Sequence, residues 1–462
     1  VYVRDMVRII IGLRSENRAF TNEAIRKKGW PGDHMQKIAR HLASLIACVL
    51  LILMPAIAFD YTIEIFGNAN MDDTIDQKDI DYIKGVMESK NEPTNLADAN
   101  YDGKIDKNDI VQIEMLIDGN QEKLTLVDGT NRTVTIDEPI EKIVICFPHA
   151  LETLRTLKVP IDNVVGAARQ YPEYDPGFFP EINDVTDVGK RWDPDIEKIL
   201  TLKPDIVLFT ASSAANANAP ATVKALESAG IKVLCFSLNG LESYPKEIGT
   251  LGYVLNKEKE AREFISWREN ILDNIKDKVK NIPNEDRPNV YFEAGTDGND
   301  YKIYGEYSYI ELCGGKDIFS DHPGKYTSVS PEAVATRKPD VIIKVEGTGG
   351  GYELAESNNS VLKATYEMIM DREIFQQVPA VTDDRVYVIT VHLLSFFGDS
   401  GCRSFIQVAY QAKWLHPELF EDIDPQAIHQ EYLTRFQGLE CNLSEYGVFV
   451  YPQLGRIEHR GA

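Results

Sequence analysis

The chain has 462 residues and carries 72 acidic against 49 basic side chains, a formal net charge of −23. That balance argues against a nucleic-acid partner, which needs a basic surface, and suits an exported soluble protein. The length predicts two or three domains, and six scattered Cys without a C-x-x-C give neither a zinc signature nor a dense disulfide framework, leaving a Cys402–Cys441 bridge as one open pairing.

In chain order, residues 1–34 read as an extension preceding the natural start at Met35. Residues 35–58 read as a signal peptide: Lys37 and Arg40 are basic, Leu42 to Met54 is an apolar core, and "AIA" at 56–58 offers small residues for cleavage before Phe59. Retention as a membrane anchor is the alternative. A lipobox at Cys48 fits poorly, because more apolar residues follow it.

Two related stretches come next, "NANMDDTIDQKDI" from Asn68 and "DANYDGKIDKNDI" from Asp98. The first places Asn68, Asn70, Asp72, Thr74, Asp76 and Asp79 at the ligand positions of an EF-hand-like loop; the second places Asp98, Asn100, Asp102, Lys104, Asp106 and Asp109 there. Calcium takes six to eight hard oxygens, and position 7 supplies a backbone carbonyl, which is why Lys104 is tolerated. Position 6 calls for a left-handed residue, met by Gly103 and less well by Asp73. An amphipathic run follows each loop (Ile80, Ile83, Met87; then Ile110, Ile113, Leu116, Ile117), whereas no helix precedes either. A loop and a following helix, repeated, with Asp at position 12, resembles a type I dockerin over residues 59–121. The resemblance implies two calcium ions, the second site better formed than the first, and a cohesin-bearing partner protein. The partner-selecting positions of the family are here Gln77, Lys78, Lys84 and Gly85, then Lys107, Asn108, Glu114 and Met115.

From Leu124 the texture changes. A short hairpin around "DGTN" leads into alternating strand-like and helix-like runs, "KIVICF", "ALETLRTLKV", "NVVGAA", "DPDIEKILTLKPDIVLFTA" and "APATVKALESAGIKVLCFS". Such alternation predicts a parallel sheet flanked by helices. One long amphipathic run, 256–282, carries Ala261, Phe264, Ile265, Ile271, Ile275 and Val279 along one stripe. After it "SPEAVATRKPDVIIKVEG" repeats the helix, K-P-D and strand order of "DPDIEKILTLKPDIVLFTA". The predicted fold class is therefore α/β: two α/β lobes (about 124–255 and 286–425) joined by one long helix, followed by a tail (426–462) and preceded by the small, duplicated, helical calcium-loop module.

These segments, in this order, resemble the Fe/B12 periplasmic-binding family, the substrate-binding proteins of ABC importers for siderophore iron, haem and cobalamin. The resemblance implies binding without catalysis, a metal-chelate ligand between the lobes, an ABC permease partner, and a secreted or cell-surface location on the extracytoplasmic face of the membrane. Ligands of open α/β sheets sit beyond the carboxyl ends of the strands. The residues just past the predicted strands and in the loops of the second half are His149, Arg169, Tyr171, Tyr174, Arg191, Trp192, Tyr307, Tyr326, His392 and Phe396. Aromatic area and guanidinium charge suit a bulky, partly anionic chelate. Glu306 and Glu311 are the second-lobe candidates for permease contact, while "ASSAANANAPAT" in the first lobe offers no carboxylate. "GDSG" at 398–401 imitates a protease nucleophile turn, but its surroundings read helical rather than all-β. Two other readings stay open: a dockerin-borne enzyme of a polysaccharide-degrading complex, and a ligand-binding scaffold without an importer.

Overall fold

Each acidic turn starts a helix with its own carboxylates. Asp76 and Asp106 are the N-caps of α1 (Gln77–Met87) and α2 (Lys107–Asp118), and Asp79 and Asp109 complete the reciprocal capping boxes. Ile80 and Ile83 of α1 and Ile113 and Leu116 of α2 are buried, whereas Met87 and Ile117, expected on the same inner faces, are exposed. The computed structural model describes residues 61–137, 139–169, 177–191, 193–211, 219–296, 301–304, 308–322, 325–355, 358–393 and 402–453. The signal segment lies outside that set, and among the described residues no helix is long and apolar enough to cross a membrane.

The stretch before the first loop is extended and joins the hairpin of β1 (Lys123–Val127) and β2 (Thr133–Asp137). Ile65 bridges Leu126, the Phe66 amide donates to the Thr125 carbonyl, and the Val127 amide donates to the Glu64 carbonyl. The calcium-loop module is therefore stitched to the hairpin that opens lobe one, and residues 59–462 form one unit.

Lobe one is a five-stranded parallel sheet of β3 (Ile143–Ile145), β4 (Val164–Ala167), β5 (Thr186–Asp187), β6 (Ile206–Thr210) and β7 (Lys232–Phe236), in the order β5-β4-β3-β6-β7. Every residue of β3 and β6 is buried, as both faces of a parallel sheet are covered. Its helices include α3 (Pro148–Thr156), α4 (Ile196–Leu202), α5 (Ala219–Ser228) and α6 (Tyr244–Val254).

The linking helix α7 spans Glu258–Val279, about 33 Å at 1.5 Å per residue. It is shorter than the 256–282 expected, and its buried stripe includes Leu272 and Arg268 in place of the expected Ile271. Arg268 is fully covered because its guanidinium donates to the Leu241 carbonyl at 2.6 Å and pairs with Glu269.

Lobe two contains β8 (Asn289–Glu293), β9 (Lys302–Tyr304), β10 (Lys316–Asp317), β11 (Lys325–Ser328), β12 (Val341–Glu346), β13 (Gly351–Ala355), β14 (Val386–Thr390), β15 (Tyr446–Val448) and β16 (Val450–Tyr451). Its main sheet runs β11-β9-β8-β12-β14-β16; β8, β12 and β14 are parallel, with antiparallel strands at both edges. The segment expected to be a tail thus completes this lobe: β16 pairs with β14, and β15 pairs with β13. The Cys402–Cys441 pairing left open by the sequence does not form; Cys402 is buried, its thiol against the His149 and Leu238 carbonyls.

The K-P-D repeat has a structural meaning. α4 and the helix Pro331–Arg337 each end on a left-handed lysine, Lys203 and Lys338, with φ of +50° and +47°. The following aspartates then reach back to the first strand of their lobe. Asp205 accepts the Glu141 and Lys142 amides before β3, and Asp340 accepts the Asn289 amide of β8.

At the end of β7, Glu247 of α6 accepts the Ser237 and Leu238 amides at 3.1 and 2.6 Å. Burial pushes its carboxyl up from 4.5 to about 7. Between those values the folded chain holds a proton that the unfolded chain has released, so this group makes stability fall as pH rises, by about 3 kcal/mol across the window. Glu247→Gln is expected to flatten that part of the stability profile, read as urea midpoints between pH 4.5 and 8; an unchanged slope would assign the dependence to other groups.

Candidate ligand cleft and calcium loops

In lobe one the order reverses between β3 and β6, the crevice where α/β sheets bind ligands. His149 lies there, 5% exposed, in the first turn of α3 directly after β3. Arg169 follows β4, half-buried, donating to the Ile182 carbonyl at 3.1 Å while its amide meets Asp187. Arg191 is half-buried in the turn closed by the Gly189–Pro194 bridge. His392 follows β14, half-buried. Tyr326 is 44% exposed in β11, with the Lys302 ammonium 4.9 Å from its ring centre. Glu311 is exposed, but its carbonyl is near Arg287 at the amino-terminal edge of the second sheet. Tyr171, Tyr174, Trp192, Tyr307, Phe396, Glu306 and the "GDSG" turn lie outside the described residues.

Beneath His149 lies a polar network that sequence reasoning missed. One turn on, Glu152 of α3 is 1% exposed and pairs with Arg403 at 2.9 Å, just ahead of the helix Ser404–Leu415. The Tyr432 hydroxyl donates to the same carboxylate at 2.6 Å. Arg403 also donates to the Tyr352 hydroxyl of β13, which sits 3.0 Å from His429 Nε2. Burial, with the Arg403 charge nearby, pushes His429 down to about 3, so the ring beside Tyr352 is neutral. Phe178 completes the group, with the Arg155 and Arg403 guanidinium carbons 4.4 and 3.9 Å from its ring centre. Lobe one and the chain after β14 thus meet through a buried network of paired polar side chains.

Lobe two has a second buried cluster where β8 adjoins β12. Glu293 faces Lys344 at 2.9 Å and takes a two-pronged pair from Arg372 at 2.5 and 2.8 Å; the first two are fully buried. Lys344 also donates to the Gly295 carbonyl.

A model of the periplasmic binding protein family matches residues 154–392, more than half of the chain. The chain belongs to the periplasmic binding protein family. An uncharacterized ABC transporter substrate-binding lipoprotein of Bacillus subtilis is 28% identical over 65% of this chain and 87% of its own length. A cobalamin-binding protein of Halobacterium salinarum is 26% identical over 58% and 69%. The crystal structure of a TroA-like periplasmic binding protein from Veillonella parvula superposes with a TM-score of 0.59 at 24% identity, covering 71% of this chain and 98% of that one. The two lobes and linking helix are thus the fold of this family.

The loop module lies upstream of the family match. In the first loop Asn68, Asn70 and Asp72 side-chain oxygens accept the Asp72 and Thr74 amides, and Asp79 accepts those of Asn70 and Asp76. The second loop repeats this with Asp98, Asn100, Asp102 and Asp109. Both donor sets are oxygen only, which fits calcium. Among the described residues no three His, Cys, Asp or Glu side chains form a group able to hold a metal; calcium in either loop would also need the Asn amides and the Thr74 and Lys104 carbonyls. Position 6 differs between them: Gly103 is left-handed at φ +88°, but Asp73 is not, its side chain being buried 3.8 Å from Arg262 of α7. A Cβ makes the left-handed region costly, so the first loop takes another path.

Proposed function

We propose that this protein is the extracytoplasmic substrate-binding component of an ABC importer for a metal chelate, a ferric siderophore, haem or a cobalamin. The single observation behind this reading is the family match over two α/β lobes joined by one helix, with His149 and Arg169 at the carboxyl edge of the first sheet. Relatives named for cobalamin, iron and haem uptake support the ligand class. The loops hold calcium, and the module attaches the protein to a cohesin-bearing surface protein. In support, Gln77, Lys78, Lys84, Lys107, Asn108 and Glu114 are all exposed, and Lys84, Lys107 and Glu114 line a depression of about 410 Å³ between α1 and α2.

The test is a thermal-shift and absorbance screen of residues 59–462 with ferric siderophores, haem and cobalamins. A true ligand at a thousandfold excess over Kd is expected to stabilise the fold by about 4 kcal/mol. A folded protein unmoved by every chelate would sink the metal-chelate reading.

A further inference from the structure

We propose that Tyr253, a residue of lobe one, is a positioning residue for calcium in the first loop. The inference rests on the calcium reading above and adds a residue from outside the loop sequence. The Ile75 amide donates to the Tyr253 hydroxyl at 2.8 Å. That amide shares its peptide plane with the Thr74 carbonyl, the position-7 ligand. An acceptor on the N–H draws electron density toward the carbonyl oxygen and fixes its direction, the two things an outer-shell partner does for a metal ligand. Tyr253 is itself held: it is 6% exposed in α6, with Thr74 Oγ1 at 3.4 Å from its hydroxyl.

The first loop is the one that needs such help. It has neutral Asn68 where the second has Asp98, and no left-handed residue at position 6. Lys78 also lies 3.7 and 3.5 Å from Asp72 and Asp76, an exposed cation competing for the same carboxylates. The second loop, with Gly103 and Lys104 exposed, faces solvent at the equivalent place. Coupling runs both ways: an ion that holds Thr74 also holds Tyr253, and α6 packs on α7, with Gly252 against Ala261. Calcium in the first loop would thereby stiffen the helix pair beside the lobe junction, not the module alone.

The test uses residues 59–462 with Asp102→Ala to silence the second loop, and calcium titration by calorimetry. Tyr253→Phe in that background is expected to weaken calcium binding about tenfold, while in wild-type second-loop context one of two sites weakens and the other does not. Equal affinity with and without the hydroxyl would overturn the proposal. One ion bound by the wild type and none by Asp102→Ala would also overturn it, leaving the second loop's calcium intact; no ion bound by either would remove the calcium reading as well. Hydrogen exchange on the unsubstituted protein needs no variant to fold: peptides over Tyr244–Val254 are expected to gain protection as the first site fills, and unchanged exchange there would count against the coupling.

Discussion

Replacing Glu152 by alanine is expected to cost about 3–5 kcal/mol of stability in residues 59–462, read as a fall in the urea midpoint at constant slope. Arg403 is 1% exposed and has Glu152 as its ion-pair partner at 2.9 Å. Without the carboxylate, a guanidinium stays in a dry site beside the Phe178 ring, and the Tyr432 hydroxyl loses its acceptor. Glu152→Leu with Arg403→Met is expected to recover most of the loss, since removing both charges also removes their desolvation cost. The pair joins α3 to the chain beyond β14 directly under His149, so ligand affinity should fall in the single variant even under conditions where it remains folded. A midpoint shift worth under about 1 kcal/mol would show the pair to be hydrated in solution.

The second large effect is expected at Glu293. Its carboxylate faces two cations, Lys344 and Arg372, so Glu293→Ala leaves two buried like charges side by side. The expected loss is at the upper end of the range for a broken buried pair, about 5 kcal/mol. Lys344→Met should cost much less, about 1–2 kcal/mol, because Arg372 keeps both of its bonds to the carboxylate. This asymmetry is the informative result: equal losses in the two variants would mean that Lys344, and not Arg372, carries the compensation. Position raises the stakes, since Glu293 ends β8 and Lys344 lies on β12 where the second sheet's order reverses.

Part of this second cluster was open to reading from the sequence. "VIIKVE" is an apolar run long enough to be a central strand, and a lysine inside it has no water to face, so a buried carboxylate partner is implied by the strand alone. No such signal marks Glu152 or Arg403. "ALETLRTLKV" is an ordinary amphipathic helix with Glu152 on what reads as its polar face, and the partner lies 251 residues away. Likewise the shift from Ile271 to Leu272 and Arg268 on the linking helix reflects which neighbours it meets, because a helical stripe can rotate by a residue without changing its periodicity.

By itself, the sequence determined what depends on local pattern and order. Loop spacing and capping residues place two acidic turns each ahead of a helix, the K-P-D repeat marks two similar lobes, and one long amphipathic run joins them. All three arise from short-range rules of backbone geometry and side-chain period. Only the tertiary structure decided what depends on meetings between distant segments. It seats the first loop on Tyr253 and Arg262 instead of leaving the module apart, draws residues 446–451 into the second lobe's sheets, and ties α3 to the chain beyond β14 through Glu152, Arg403 and Tyr432. A charge becomes structural when its partner arrives and water leaves, and neither event is written in the residues on either side of it.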